Sequence, residues 1–151
     1  MEENGKIIIK LIKAMHNTPF AEQISTISTI ITTRFAVRAN VDSGGIGMPI
    51  AEALREKHRA VIQGVTFTNS LKQRMMVNLR MLFEKQMIVL PNHAQLINSL
   101  HKIQRKRTAT GLEQFEAAED ETGEHGDFAW ALALACYSQK SSGFPIYGVK
   151  V

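Results

Sequence analysis

Two aspartates stand where chemistry can be done. Asp42 closes the run FAVRANV and opens the glycine turn DSGGIG, and Asp127, in EHGD, opens the nearly all-apolar segment DFAWALALAC. A carboxylate at the C-terminal end of a strand faces the crevice where open α/β sheets bind ligands, and glycines beside it let backbone and solute come close. Two such carboxylates are hard oxygen donors suited to a divalent cation. Held about 4 Å apart they repel by roughly 4 kcal/mol at an effective dielectric of about 20, a cost that a shared cation removes.

Each residue also has a plainer role. Asp42 fits a turn or a helix cap, because Asp-Ser-Gly-Gly is ordinary loop chemistry. Asp127 is a good N-cap for the helix it opens, which is compatible with metal binding through another lone pair. Gly44, Gly45 and Gly47 could cradle a phosphate, but they lack the spacing of a dinucleotide or P-loop fingerprint. His125 is expected to hydrogen-bond rather than ligate, since a hard cation prefers oxygen. Lys72 is expected either to reach toward a polyanion or the acids or simply to solvate a helix start. The cluster Lys102, Arg105, Lys106 and Arg107 could follow a phosphate backbone, with affinity falling steeply with salt, or decorate a solvated helix end.

The elements that must position these residues follow from periodicity. Residues 6–13 (KIIIKLIK) read as a lysine-punctuated edge strand. Phe20, Ile24, Ile27 and Ile31 recur at helical spacing after Thr18 as N-cap and Pro19 at the first helical position. Residues 35–41 read as a strand ending at Asp42. Pro49 starts a helix that ends near His58, and residues 60–68 form a third strand. A helix from about Ser70 carries Leu71, Met75, Leu79, Leu82 and Phe83 on one stripe. Residues 87–90 make a short strand stopped by Pro91, with Asn92 capping a helix that presents Leu96, Leu100 and Ile103. Residues 108–111 turn, 112–117 form a strand, and the acidic stretch 116–127 is a mobile loop. Residues 127–138 are a helix buried on more than one face, and the tail from Ser141 is irregular.

Strand and helix alternation predicts an α/β domain with right-handed crossovers. The 151 residues, 44% of them hydrophobic, fit one domain spanning 1–151. Eighteen basic against fourteen acidic residues give a charge of +4, compatible with a polyanionic partner without demanding one. The longest apolar run, residues 128–137, falls short of the ~20 needed to cross a bilayer. A single cysteine, Cys136, excludes an intrachain disulfide and suits a small core residue. A reducing, intracellular setting is expected.

VDSGGIGMPIAEAL, VTFTNSLKQRMMVNL, MIVLPNHAQLINSL and EHGDFAWALALA, in that order and spacing, resemble the nuclease domain of phage terminase large subunits. The resemblance runs over roughly residues 5–140 and is specific as a set rather than piece by piece. It implies a ribonuclease H-like fold, a mixed sheet flanked by helices. It also implies a divalent-metal-dependent endonuclease using Mg²⁺ or Mn²⁺ on double-stranded DNA, encoded by a phage or prophage and acting in the host cytoplasm. The family's partners are an ATPase domain, a small terminase subunit and a portal. Position by position, Asp42 and Asp127 match metal-binding acids of the family. Its remaining acid lies on a first strand that has no match here, since only residues 1–5 precede the resemblance and Glu2 and Glu3 are expected at a mobile terminus. The fold is therefore expected to be incomplete at its N-terminus, a truncated copy that cuts DNA weakly or not at all alone. The competing reading is a non-catalytic remnant or DNA- or portal-binding module of the same fold. A more remote one is another ribonuclease H-like nuclease such as a resolvase.

Overall fold

The computed structural model describes residues 2–3, 5–107, 111, 113–118, 126–137 and 146–149. In chain order the elements are β1 (Glu2–Glu3), β2 (Lys6–Ile8), α1 (Phe20–Thr33), β3 (Arg38–Asp42), a 3₁₀ turn (Gly45–Gly47), α2 (Met48–Lys57) and β4 (Ile62–Val65). They continue with α3 (Asn69–Glu84), β5 (Ile88–Val89), α4 (Ala94–Lys102), β6 (Ile103–Arg107), β7 (Glu113–Ala117), α5 (Asp127–Tyr137) and β8 (Ile146–Val149).

Local chemistry explains most of the boundaries. Thr68 caps α3, its hydroxyl accepting the Leu71 N–H at 3.2 Å, as an N-cap threonine should. His58 closes α2. Two caps differ from expectation. Pro19, not Thr18, precedes α1, and its carbonyl accepts the Glu22 and Gln23 amides, while the Thr18 hydroxyl donates back to the His16 carbonyl. At α4 the cap is His93 rather than Asn92, Nδ1 accepting the Leu96 N–H at 3.2 Å.

Strands are shorter than the hydrophobic runs that contain them. Only Lys6–Ile8 of the run 6–13 pairs, because the partner strand β5 has two residues. Phe35 is excluded from β3: it takes a positive φ of 50° and stands 84% exposed.

The strands form three groups. One is β1-β2-β5, with β1 antiparallel and β5 parallel to β2. The second is all parallel in the order β4-β3-β8, with Asp42 opposite Val65 and Val41 opposite Val149. The third is the antiparallel hairpin β6-β7, from Ile103↔Ala117 at its base to Arg107↔Glu113. Three expectations are corrected here. The tail from Ser141 is not wholly irregular, since β8 completes an edge beside β3; Glu2 and Glu3 pair as a strand with Ile7 and Lys6; and Glu116 and Ala117 belong to β7 rather than to the acidic loop.

Alternation along β3 and β4 separates two cores. Ala39, Val41 and Ile62 pack with Ile27 and Ile31 of α1 and Ile50, Ala51 and Leu54 of α2. On the other side Val65 joins Leu71, Met75 and Leu79 of α3, Leu96 of α4, and Trp130, Ala133 and Leu134 of α5, with Ile7 of β2 in the same cluster. The parallel sheet thus lies between two helical layers, an arrangement that buries both faces. No helix among the described residues is long and apolar enough to cross a membrane.

Candidate functional site

β3 delivers Asp42 to the carboxyl end of the parallel sheet. Residues two apart on a strand share a face, so Asp42 lies on the same face as Asn40. That face belongs to α5: Asn40, fully buried, donates from Nδ2 to the Leu134 carbonyl at 2.9 Å. Asp42 is half-buried and its Oδ1 accepts the Gly44 N–H at 2.9 Å, an Asx turn that fixes the carboxylate. A Cβ on Gly44 would lie 3.2 Å from that same oxygen, so a larger residue there presses on the acid. The Ser43 N–H bonds to the Val65 carbonyl at 3.0 Å, tying the turn to the end of β4. The turn reading of Asp42 is therefore correct, and it leaves the residue at the mouth of the sheet.

The direction of α5 fixes where Asp127 sits. Lys72 Nζ lies 5.3 Å from the centre of the Trp130 ring, and Asn78 Nδ2 donates to the Cys136 carbonyl at 3.1 Å. The contacts are separated by the same interval on both helices, so α3 and α5 run side by side in one direction. Since α3 turns back from the carboxyl end of β4, α5 also starts at that end. Phe67, just beyond β4, meets Trp130 edge-on at 5.9 Å, in agreement. From the Asn40–Leu134 bond, two strand residues lead about 7 Å to Asp42 and seven helical residues about 10 Å to Asp127. The two acids stand within about 4 Å of one level along the sheet axis on these spacings.

Asp127 is exposed and is the first residue of α5, not its N-cap. Gly126 holds the cap position: its carbonyl accepts the Trp130 N–H at 3.1 Å. It adopts a φ of +70°, and a Cβ there would lie 2.7 Å from Cβ of Ala117. Both facts demand glycine, and the contact sets the start of α5 against the base of the β6-β7 hairpin. The cap side chain comes from elsewhere, because Ser99 Oγ of α4 accepts the Ala129 N–H at 2.9 Å. The ring of His93 lies 5.4 Å from that of Phe128, so α4 braces two consecutive residues after Asp127.

Of the basic residues, Lys72 lies in the first turn of α3 at this same end, half-buried and over Trp130. The cluster is not a helix end. Only Lys102 is helical, while Arg105, Lys106 and Arg107 are exposed on β6. Arg105 meets Glu113 at 3.3 Å and Lys106 meets Glu116 at 3.0 Å, so the hairpin partly neutralises itself. Exposed pairs of this kind contribute about 0–1 kcal/mol and open readily for a phosphate. His125 lies outside the described residues. Cys136 is buried, and burial pushes its thiol up to about 12, which leaves it a protonated core residue rather than a nucleophile.

Sequence reasoning missed Asn40, Ser99 and Trp130. Nothing in the local pattern marks Ser99, but a lone Asn inside an apolar strand two residues before an acid is a readable signal of a buried polar contact. Among the described residues no three His, Cys, Asp or Glu side chains gather as a metal-binding group. Asp42 and Asp127 are the described carboxylates at the mouth of the sheet that the sequence reading singled out. Two carboxylates suit Mg²⁺, which is commonly held by one or two acids with its other positions on water and substrate phosphate.

Compared with known families, residues 4–138 match the terminase RNaseH-like domain. The chain is 27% identical over 137 residues to the terminase large subunit of Thermus phage G20c, covering 87% of this chain and 26% of the relative. It therefore spans about a quarter of that protein's length. Among solved structures it is similar to the large terminase nuclease of thermophilic phage G20c with bound magnesium, at a TM-score of 0.68 and 25% identity over 83% of this chain and 64% of that one. The cobalt-bound form of that nuclease gives a TM-score of 0.69 at 25% identity, with the same coverage of 83% and 64%.

Proposed function

The chain belongs to the terminase RNaseH-like domain family, and on that premise we propose that it is the divalent-metal-dependent endonuclease unit of a phage or prophage DNA-packaging terminase. What supports this reading is that β3 ends at Asp42 and α5 starts at Asp127 at the same end of the sheet, as the Asn40–Leu134 and Lys72–Trp130 contacts imply. The magnesium- and cobalt-bound nuclease structures support a divalent cation as the cofactor. Mg²⁺ or Mn²⁺ is the ion proposed here.

Asp42 and Asp127 would hold the cation. When bound it activates water and stabilises the leaving oxygen of a phosphodiester. The protein's own groups orient the substrate. Gly44 keeps the Asp42 carboxylate in place through its amide, and Lys72 offers a fixed positive charge beside the mouth because Trp130 restrains its ammonium by a cation–π contact. Arg105, Lys106 and Arg107 extend from the hairpin base beside Gly126, along a strand that rises about 3.4 Å per residue, and would track the backbone of double-stranded DNA. Assembly with an ATPase domain, a small subunit and a portal belongs to the same proposal.

With two carboxylates as donors, cation affinity is weak and cutting by this chain alone is slow or absent. Incubation of supercoiled plasmid with Mn²⁺ tests the activity, with Asp42→Asn and Asp127→Asn as controls for contaminating nuclease. Titration calorimetry with Mn²⁺ tests the site itself. Binding lost in both variants supports the reading, while equal binding by all three proteins overturns it. Robust cleavage that both substitutions abolish would show that two acids suffice. A second reading, a non-catalytic DNA- or portal-binding module of the same fold, would bind DNA identically with and without Mn²⁺.

A further inference from the structure

We propose that Ser99 is a positioning residue for the Asp127 carboxylate, a side chain lent by α4 to cap the first turn of α5. The inference rests on the reading of Asp42 and Asp127 as cation ligands. A helix begins with amides that have no intrahelical acceptor, and one of them is ordinarily satisfied by the side chain of the N-cap residue. In α5 the cap position is Gly126, which has no side chain and whose carbonyl accepts the Trp130 amide. The Ala129 amide goes instead to Ser99 Oγ at 2.9 Å, a bond between buried groups thirty residues apart, with Ser99 only 3% exposed.

The consequence falls on Asp127. An aspartate carboxylate readily bonds the backbone N–H two residues further on, the local pattern that makes Asp a turn former. For Asp127 that amide is Ala129. Because Ser99 already occupies the amide, the carboxylate is spared this competing contact and the turn that carries it is held from a second helix. Removing the Ser99 hydroxyl leaves a buried N–H without its acceptor, and the local aspartate-to-backbone contact would then draw one carboxylate oxygen inward and away from the cation. His93 reinforces the same brace, since it caps α4 and its ring packs on Phe128. Groups that orient metal ligands from behind change metal affinity markedly without touching the metal.

The experiment is titration calorimetry of the full chain with MnCl₂, each protein also measured for thermal unfolding. Ser99→Ala and the near-isosteric Ser99→Cys are expected to weaken Mn²⁺ binding by about tenfold, whereas Ser99→Thr, which keeps the hydroxyl, stays near wild type. Ile27→Val in the core on the opposite face of the sheet lowers stability and leaves affinity unchanged. Wild-type affinity in both Ser99→Ala and Ser99→Cys would overturn the proposal. So would an equal loss in Ile27→Val, because the effect would then follow stability rather than the cap. If wild type binds no Mn²⁺ while folded, the ligand reading fails and the proposal with it.

Discussion

Asn40 of β3 and Leu134 of α5 are joined by a hydrogen bond of 2.9 Å from a fully buried amide to a helical carbonyl. The bond crosses ninety-four residues of sequence and pins the helix that carries Asp127 to the strand that carries Asp42. It makes Asn40 a structural hinge between the two acids. Asn40→Ala is expected to destabilise the chain by about 1–3 kcal/mol, the range for disrupting a buried hydrogen bond, as measured by urea unfolding. Asn40→Leu, which adds apolar bulk at a packed site, should not restore stability. Full stability in Asn40→Ala would mean that α5 is held by packing alone.

Gly126 is constrained twice, by its φ of +70° and by the 2.7 Å approach that a Cβ would make to Ala117. Gly126→Ala is expected to cost about 1–3 kcal/mol through backbone strain and overpacking. Ala117→Gly in the same chain removes the clash and not the strain, so it should recover only part of the loss. Complete recovery in a thermal unfolding series would show that the dihedral contributes nothing.

Cys136 gives the chain an alkaline weakness. Its thiol is raised from 9.0 to about 12 by burial, so the folded state keeps a proton that the unfolded chain releases. The unfolded state then binds fewer protons above pH 9, and stability falls as pH rises from about 9 toward 12, by at most roughly 1.4 kcal/mol per unit. Below pH 9 this contribution is constant. Cys136→Ala should flatten that part of the stability–pH curve, and thiol reagents should label Cys136 only on unfolding. Rapid labelling of the native protein at neutral pH would contradict the burial argument.

Lys72 and the hairpin cations should separate by salt dependence. Arg107→Ala is expected to weaken DNA binding and lower the salt slope by about one counterion, as loss of a phosphate contact does. Lys72→Gln should do the same while also removing the cation–π contact on Trp130, worth about 0.5–2 kcal/mol. Fluorescence anisotropy against salt reads the first effect and tryptophan emission the second. An unchanged slope in both variants would remove these side chains from the DNA path.

The sequence alone determined the local pieces. Helical spacing located α3 and α5, and the Asp-Ser-Gly-Gly turn put Asp42 at a strand end, because period, turn chemistry and capping act over a few residues. The resemblance carried by the four segments supplied the family. Tertiary structure alone decided the rest. The Thr18 and Asn92 caps shifted to Pro19 and His93, a choice between neighbours that depends on how each helix enters the core. The apolar run 6–13 yielded a three-residue strand because its partner β5 is shorter still. Arg105, Lys106 and Arg107 became strand residues since β7 offered them a ladder of backbone partners. Ser99 was assigned to the Ala129 amide, and Asn40 to Leu134, by packing of elements thirty and ninety-four residues apart. No local pattern encodes such pairings: a polar side chain acquires its partner only when the fold has removed water and brought a complementary group within reach.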